Sequence, residues 1–138
     1  MTPLTEQAFA EAYVRKDRRE RLLHELSNPK KRHRGLDRFC HGAADLLDPA
    51  RITLAGPGLE HDAAFNAFVA AHAAETCRIF SPDGGIDGLE LPLAEAVAAC
   101  VACLDASIIM GDGFAIVRAE AWKGGTDMWL LEEAGERP

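Results

Sequence analysis

The sequence has few serines and lacks the glycine-rich motifs that bind nucleotide phosphates. Its three serines, Ser27, Ser81 and Ser107, lie outside the G-x-S-x-G pattern that presents a nucleophilic serine in many hydrolases. No G-x-x-x-x-G-K-S/T stretch is present, and residues 56–58 (Gly-Pro-Gly) do not follow a clear strand pattern, as a dinucleotide-binding motif would. We therefore expect a non-catalytic protein, with no catalytic residue and no cofactor to assign.

Long apolar runs are also missing. The most apolar stretch, residues 91–111, is interrupted by Pro92, Glu95 and Asp105, so it does not match a membrane span. Residues 1–7 have neither the basic start nor the apolar segment of a secretory signal. We therefore expect a cytoplasmic protein without a membrane segment, whose four cysteines are reduced thiols.

Two of those cysteines, Cys100 and Cys103, have the C-x-x-C spacing of redox and zinc sites. A reactive pair normally sits at the start of a helix, where the helix dipole stabilises a thiolate, whereas this pair falls near the end of a predicted helix. A zinc site would need a second such pair or suitably spaced histidines, and no second pair exists. The surrounding alanines predict a slim helix in which both cysteines act as small apolar residues.

A metal site assembled from distant residues is an alternative interpretation. An enzyme or metalloprotein could use Cys or His side chains that the fold brings together, because such partners need not be close in sequence. These side chains do not have the i, i+4 spacing that chelates a metal from one helix, so we assign no metal. The candidates are Cys40, His41, His61, His72 and Cys77.

Charge is distributed unevenly along the chain. The formal net charge is −7, yet residues 15–38 contain ten Lys or Arg against four Asp or Glu and therefore carry +6. The other residues together carry −13. A basic segment in an acidic protein is the clearest compositional feature of this sequence, and it favours binding to an anionic partner over catalysis.

Within this segment, helical periodicity places four cations away from the apolar stripe formed by Leu36, Phe39 and Ala43. We predict that they form a cationic ridge together with His41, and that Arg32, which falls on the apolar side, reaches past the helix end. The ridge is a solvated face, a site for an acidic protein or a second copy of the chain, or a phosphate-contacting surface for nucleic acid. The four cations are Lys30, Lys31, Arg34 and Arg38.

The hydrophobic patterns predict an α+β fold. Apolar periodicity predicts helices over residues 5–26 (with a break near residues 16–19, or with its middle away from the core), 29–47, 62–74 and 92–104. Strand patterns cover residues 76–80, 106–110, 114–122 and 126–132, and glycines separate the last three. We thus expect N-terminal helices followed by a β-α-β-β-β half with an antiparallel meander and helices packed on the sheet. One domain over residues 1–138 would combine a helical half (about 5–74) with a sheet-containing half (about 76–133).

The last predicted hairpin offers a second candidate surface. A two-residue loop at Gly124-Gly125 would pair Trp122 with Asp127 and Glu120 with Trp129. One face would then carry small residues such as Ala115 and Ala119, which suit packing against the Ala/Cys helix. The opposite face would bring Arg118, Trp122 and Trp129 together, a combination frequent in binding hot spots, unless the N-terminal helices cover it.

These patterns lead to one functional expectation with two alternatives. We expect a small interaction module that binds a protein partner or forms a homo-oligomer through the cationic ridge, the hairpin face, or both. Nucleic-acid binding through residues 15–38 is the first alternative, and the Cys/His enzyme or metalloprotein is the second.

Overall fold

The computed structural model describes residues 3–103, 106–120 and 125–133, apart from the side chains of residues 39–41. The described helices are α1 (Glu6–Tyr13), α2 (Lys16–Ser27), α3 (Arg32–His41), α4 (Ala43–Leu46), α5 (Ala63–Ala71) and α6 (Leu93–Ala102). Two 3-10 turns cover Pro49–Arg51 and Leu59–His61. The strands are β1 (Ile52–Pro57), β2 (Thr76–Phe80), β3 (Glu90–Pro92), β4 (Ser107–Met110), β5 (Phe114–Glu120) and β6 (Thr126–Glu132). None of the helices in these ranges combines the length and apolar character that a bilayer crossing requires.

The described strands form one antiparallel sheet in the order β1-β6-β5-β4-β2-β3. Helices α1 to α4 bury their apolar side chains on one face of this sheet, together with Val117 and Leu131. Helices α5 and α6 bury theirs on the other face, together with Ile109 and Ile116. The predicted α+β fold, with N-terminal helices and a β4-β5-β6 meander, is confirmed.

The two cores explain why the central strands are almost wholly apolar. Side chains alternate between the faces of a strand, so Ala115 and Val117 enter the first core while Phe114 and Ile116 enter the second. Every described residue of β4 is buried. A strand covered on both faces loses the apolar–polar alternation of a strand with one wet face.

The β5–β6 hairpin has a different register from the predicted one. Glu120 pairs with Thr126 and Val117 pairs with Trp129, whereas the prediction paired Glu120 with Trp129. The shift of three positions is odd, and an odd shift moves every side chain of one strand to the other face. Trp129 therefore packs against the first core, with α1 to α4, while Arg118 lies on the other face. The prediction that Arg118 and Trp129 share one face is wrong, and Trp122 lies outside the described residues.

The predicted partner of the small-residue face of β5 is wrong as well. Ala115 and Ala119 face the N-terminal helices rather than the Ala/Cys helix α6. Helix α6 instead places Ala96 and Cys100 against the larger side chains of the second core, such as Ile116. Small side chains on a helix leave volume that larger side chains on the facing strands can fill, so large rather than small residues lie opposite α6.

Both long N-terminal helix predictions divide into two helices. The first is interrupted between α1 and α2, where the N–H of Arg15 donates to the carbonyl oxygen of Leu46 at 2.8 Å. An isolated antiparallel β-bridge between Val14 and Leu47 holds the chain at the same position. The second is interrupted at Gly42, between α3 and α4. Each interruption lets the chain turn so that both segments keep their apolar side on the sheet.

Two strands were not predicted. Strand β1 includes Gly56 and Pro57, whose sequence resembles a loop, and it lies at the edge of the sheet, where a strand tolerates proline. Gly56 has φ of +151°, a conformation that favours glycine. Strand β3 has only three residues and forms the opposite edge. Short edge strands bury little apolar surface, so they leave a weak sequence pattern.

Tyr13 carries a hydroxyl that is buried in the first core without a hydrogen-bond partner among the described residues. Its ring packs against Phe9, with 5.3 Å between ring centroids, and burial raises the pKa of Tyr13 strongly. Because an unpaired buried hydroxyl costs about 1–2 kcal/mol, Tyr13→Phe should raise the free energy of unfolding by about 1 kcal/mol in urea denaturation. Tyr13→Leu, which also removes the ring contact, should lower it. A loss of stability in Tyr13→Phe would show that the hydroxyl is hydrogen-bonded.

Candidate functional site

The basic segment forms a helical hairpin in which α2 and α3 lie side by side. The closest approach is at Gly35, where an added Cβ would lie 3.0 Å from the Cβ of Glu25 and 3.2 Å from Cδ2 of Leu26. Leu22 and Leu36 bury the underside of the hairpin in the first core. The hairpin therefore presents its charged residues outward from a closely packed base.

Several cations of the segment donate hydrogen bonds to the backbone of the same chain. The Nε of Arg19 donates to the carbonyl oxygen of Ala10 at 3.1 Å, and its Nη2 donates to that of Val14 at 3.3 Å. The Nε of Arg15 donates to the carbonyl oxygen of Leu47 at 3.1 Å. Carbonyl groups at the end of a helix lack helical partners, so these arginines satisfy the end of α1 and the chain beyond α4.

Arg32 joins three distant parts of the chain. Its guanidinium contacts Oε1 of Glu6 at 3.1 Å and Oδ2 of Asp87 at 2.7 Å. Asp87 also accepts a hydrogen bond from the backbone N–H of Ser81 at 3.1 Å. Burial raises the pKa of Glu6, although the attraction of Arg32 opposes that rise. The prediction placed Arg32 on the apolar side, as found, but its acidic partners were not foreseen because they lie 26 and 55 residues away.

Six other cations of the hairpin are exposed to solvent. Lys30, Lys31 and Arg34 of the predicted ridge belong to this group. Three residues of α2 join them. We call this set the cationic surface: Lys16, Arg18, Arg21, Lys30, Lys31 and Arg34.

A groove opens beside this surface, between α2, α3 and α4. It has a volume of about 330 Å³, and Arg18, Arg21 and Arg38 line it together with Asp17, Leu22 and Leu46. We call it the arginine groove. Arg18 and Arg21 are three residues apart on α2 and thus share one side of that helix. Sequence reasoning missed this cluster because only the packing of α2 on α3 brings Arg38 to it.

Arg38 is held in place by a buried acid. Its Nη1 lies 2.6 Å from Oε1 of Glu25, and its Nη2 donates to Oε2 at 2.8 Å. The Glu25 side chain is 7% exposed and that of Arg38 is 34% exposed. This ion pair and its hydrogen bond hold the guanidinium from one side, and a guanidinium has five N–H groups in all.

The two described candidates of the predicted β5–β6 face, Arg118 and Trp129, do not converge in the structure. Nη1 of Arg118 donates to the carbonyl oxygens of Cys100 at 3.2 Å and Cys103 at 3.1 Å, so Arg118 satisfies the C-terminal end of α6. Trp129 is half-buried against the first core on the opposite face of the sheet. A binding role for Arg118 or Trp129 stays a prediction that this geometry does not support, and Trp122 lies outside the described residues.

The C-x-x-C pair lies where the prediction placed it. Cys100 is buried in α6, and burial raises the pKa of its thiol to about 11. Cys103 ends the helix, and its Sγ donates to Oδ2 of Asp83 at 3.1 Å. Neither residue is in a disulfide. A thiol with a raised pKa is a poor nucleophile near neutral pH, which agrees with a packing role.

The metal candidates do not assemble within the described part of the chain. His61 is largely exposed, whereas His72 stacks on Phe68 with 4.3 Å between ring centroids and contacts Glu75. Cys77 is buried in β2, and burial raises the pKa of its thiol to about 11. No group of three or more His, Cys, Asp or Glu suited to a metal occurs among the described residues. The side chains of Cys40 and His41 lie outside the description, so their part in this alternative stays a prediction.

Comparison with protein-family models, curated proteins and solved structures finds no match to this chain. The functional argument therefore rests on the contacts and charges of the residues themselves.

Proposed function

We propose that the protein is a non-catalytic interaction module that binds an acidic protein partner through the cationic surface. The observation that supports this proposal is the separation of charge. Six exposed Lys and Arg side chains lie on one helical hairpin, while the chain outside residues 15–38 has a net charge of −13. Such a surface attracts an acidic patch on a partner protein. It also orients the partner, because the acidic remainder of this chain repels the same patch.

A protein partner fits this surface better than nucleic acid does. Three exposed acids, Asp17, Glu20 and Asp37, lie among the cations on the same hairpin. A protein can place its own cations opposite these acids, whereas the uniform phosphate backbone of a nucleic acid cannot. Residues 15–38 of the helical hairpin also contain no Phe, Tyr or Trp side chain on which a base could stack.

The other arginines make hydrogen bonds or ion pairs within the chain, which strengthens the proposal. Arg15, Arg19 and Arg32 bind carbonyl or carboxylate oxygens of the same chain, so they are accounted for by the fold. The six residues of the cationic surface lie at exposed positions of the same hairpin. A reducing compartment such as the cytoplasm belongs to the proposal, and the reduced thiols of Cys77 and Cys100 support it.

A matched pair of variants tests the proposal. Arg21→Gln/Arg34→Gln should weaken binding of a glutamate-rich helical peptide about tenfold in fluorescence anisotropy, because each lost cation contributes roughly 0.5–1 kcal/mol at an exposed site. Ala70→Glu/Ala98→Glu makes the same change in net charge at exposed positions of α5 and α6, across the sheet. We expect it to change the affinity less than about twofold.

Three results would contradict the proposal. Equal weakening in both variants would show that only net charge matters. Tighter binding of a mixed-sequence DNA duplex than of the peptide, with affinity falling steeply as salt rises, would favour nucleic acid. A dimer that is lost in Arg21→Gln/Arg34→Gln in sedimentation velocity would identify a second copy of the chain as the occupant of this surface.

A further inference from the structure

We propose that the arginine groove binds a phosphoryl group. This inference deepens the proposed function and rests on it for the source of the phosphoryl group, which an acidic protein partner would carry. The groove itself is defined by Arg18, Arg21 and Arg38, which line one cavity of about 330 Å³.

The number of guanidinium groups favours a tetrahedral dianion over a carboxylate. One arginine suffices to bind a planar carboxylate through two parallel hydrogen bonds. Here two arginines of α2 and one of α3 line the same space. A phosphoryl group has three acceptor oxygens and up to two negative charges, so it can accept hydrogen bonds from several arginines at once.

The opposing acids are positioned so that they do not fill the groove. Glu25 contacts Arg38 from the buried side, where its side chain is 7% exposed, and so it fixes this arginine from beneath. Asp17 lines the groove and lies 3.9 Å from Nε of Arg18, but both side chains are more than half exposed. Ion pairs this exposed are weak, so a dianion competes with Asp17 for Arg18.

Part of the lining of the groove is apolar. Leu22 and Leu46 line it beside the arginines. Both leucines are buried, with their side chains in the first core. Apolar walls lower the local dielectric constant, which strengthens the attraction between the guanidinium groups and the phosphoryl oxygens.

Inorganic phosphate is the direct probe, titrated at pH 8 into the full chain while the arginine Nε–Hε resonances are followed by NMR at constant ionic strength. We expect saturable shifts at Arg18, Arg21 and Arg38, with a Kd of about 1–10 mM. Arg21→Gln should weaken binding about fivefold to tenfold, and Arg21→Lys should restore part of the loss. Ala98→Glu, which makes the same change in net charge at an exposed position of α6 across the sheet, should leave the Kd within about twofold.

Two further ligands separate the sources of the group. One ligand is a phosphoserine peptide whose other side chains are uncharged, and the other is free phosphoserine. Tighter binding of the peptide identifies a phosphorylated protein as the source of the phosphoryl group, and equal binding identifies a small phosphate ester. The inference is overturned if the three arginines do not shift, if acetate binds as tightly as phosphate, or if Ala98→Glu weakens binding as much as Arg21→Gln. Because no glutamate-rich peptide is used here, the proposed function can fail while phosphate still binds, and the reverse.

Discussion

Gly111→Ala should lower the free energy of unfolding by about 2–3 kcal/mol, because an alanine methyl at this position collides with a core aromatic ring. An added Cβ would lie 2.3 Å from Cζ and 2.6 Å from Cε1 of Phe114. The ring is buried and packs edge-on against Phe68, with 5.1 Å between centroids. The turn between β4 and β5 also holds Gly111 in place, because its N–H donates to the carbonyl oxygen of Phe114 at 3.0 Å.

The matched control for this prediction is Gly84→Ala. An added Cβ at Gly84 meets nothing within 4 Å, and the backbone there has ordinary φ. Its alanine variant should therefore have stability within about 0.5 kcal/mol of wild type in urea denaturation. If Gly111→Ala were as stable as Gly84→Ala, the ring of Phe114 would not pack closely against Gly111 in the β4–β5 turn.

Arg32→Leu is expected to lower the free energy of unfolding by about 2 kcal/mol at pH 7. The substitution leaves the half-buried carboxylates of Glu6 and Asp87 without the cation between them, and breaking a buried ion pair on one side is strongly destabilising. The Arg32 side chain is 29% exposed, so solvent screening keeps the loss below that of a fully buried pair. Arg34→Leu, at an exposed position two residues away on α3, should change stability by less than about 0.5 kcal/mol.

The loss in Arg32→Leu should also depend on pH. Burial already raises the pKa of Glu6 in the folded protein above its ordinary value of 4.5. The folded state is therefore favoured by protonation of Glu6 below pH 4.5, and this contribution to the free energy of unfolding is lost as pH rises through the raised pKa. Removing Arg32 raises this pKa further, which makes the decline with pH steeper. Denaturation from pH 4 to pH 7 should therefore show the difference from wild type growing with pH. A difference that stays constant would mean that Arg32 acts through packing rather than charge.

Much of the fold follows from hydrophobic spacing. The stripe containing Leu36 predicted α3, and the glycine-rich turn at residues 111–113 predicted the connection between β4 and β5. These features are local, because a few neighbouring residues determine them. The β5–β6 register is different, since it depends on the conformation of a loop in which two successive glycines permit more than one turn. Because of that ambiguity, the prediction placed Trp129 on the wrong face of the sheet.

The candidate site shows the same division between local and tertiary information. Lys30, Lys31 and Arg34 are exposed, as the prediction had them, although Lys30 and Lys31 lie in the turn before α3 rather than on the helix. Helical spacing could not separate Arg19, which binds carbonyl oxygens of α1, from Arg21, which is exposed, because that distinction depends on where α1 ends. The arginine groove required the contact of α2 with α3 at Gly35. A glycine on the apolar side of a charged helix was the one sequence signal for such close packing.

The most direct test of the central claim is to locate the bound peptide on the protein. Backbone amide shifts should be recorded by NMR while the glutamate-rich helical peptide is titrated into the wild-type chain. The proposed function predicts that the largest shifts fall on α2 and the start of α3, around Arg21, Lys31 and Arg34. Shifts concentrated on α5 and α6, or spread evenly over the surface, would contradict it.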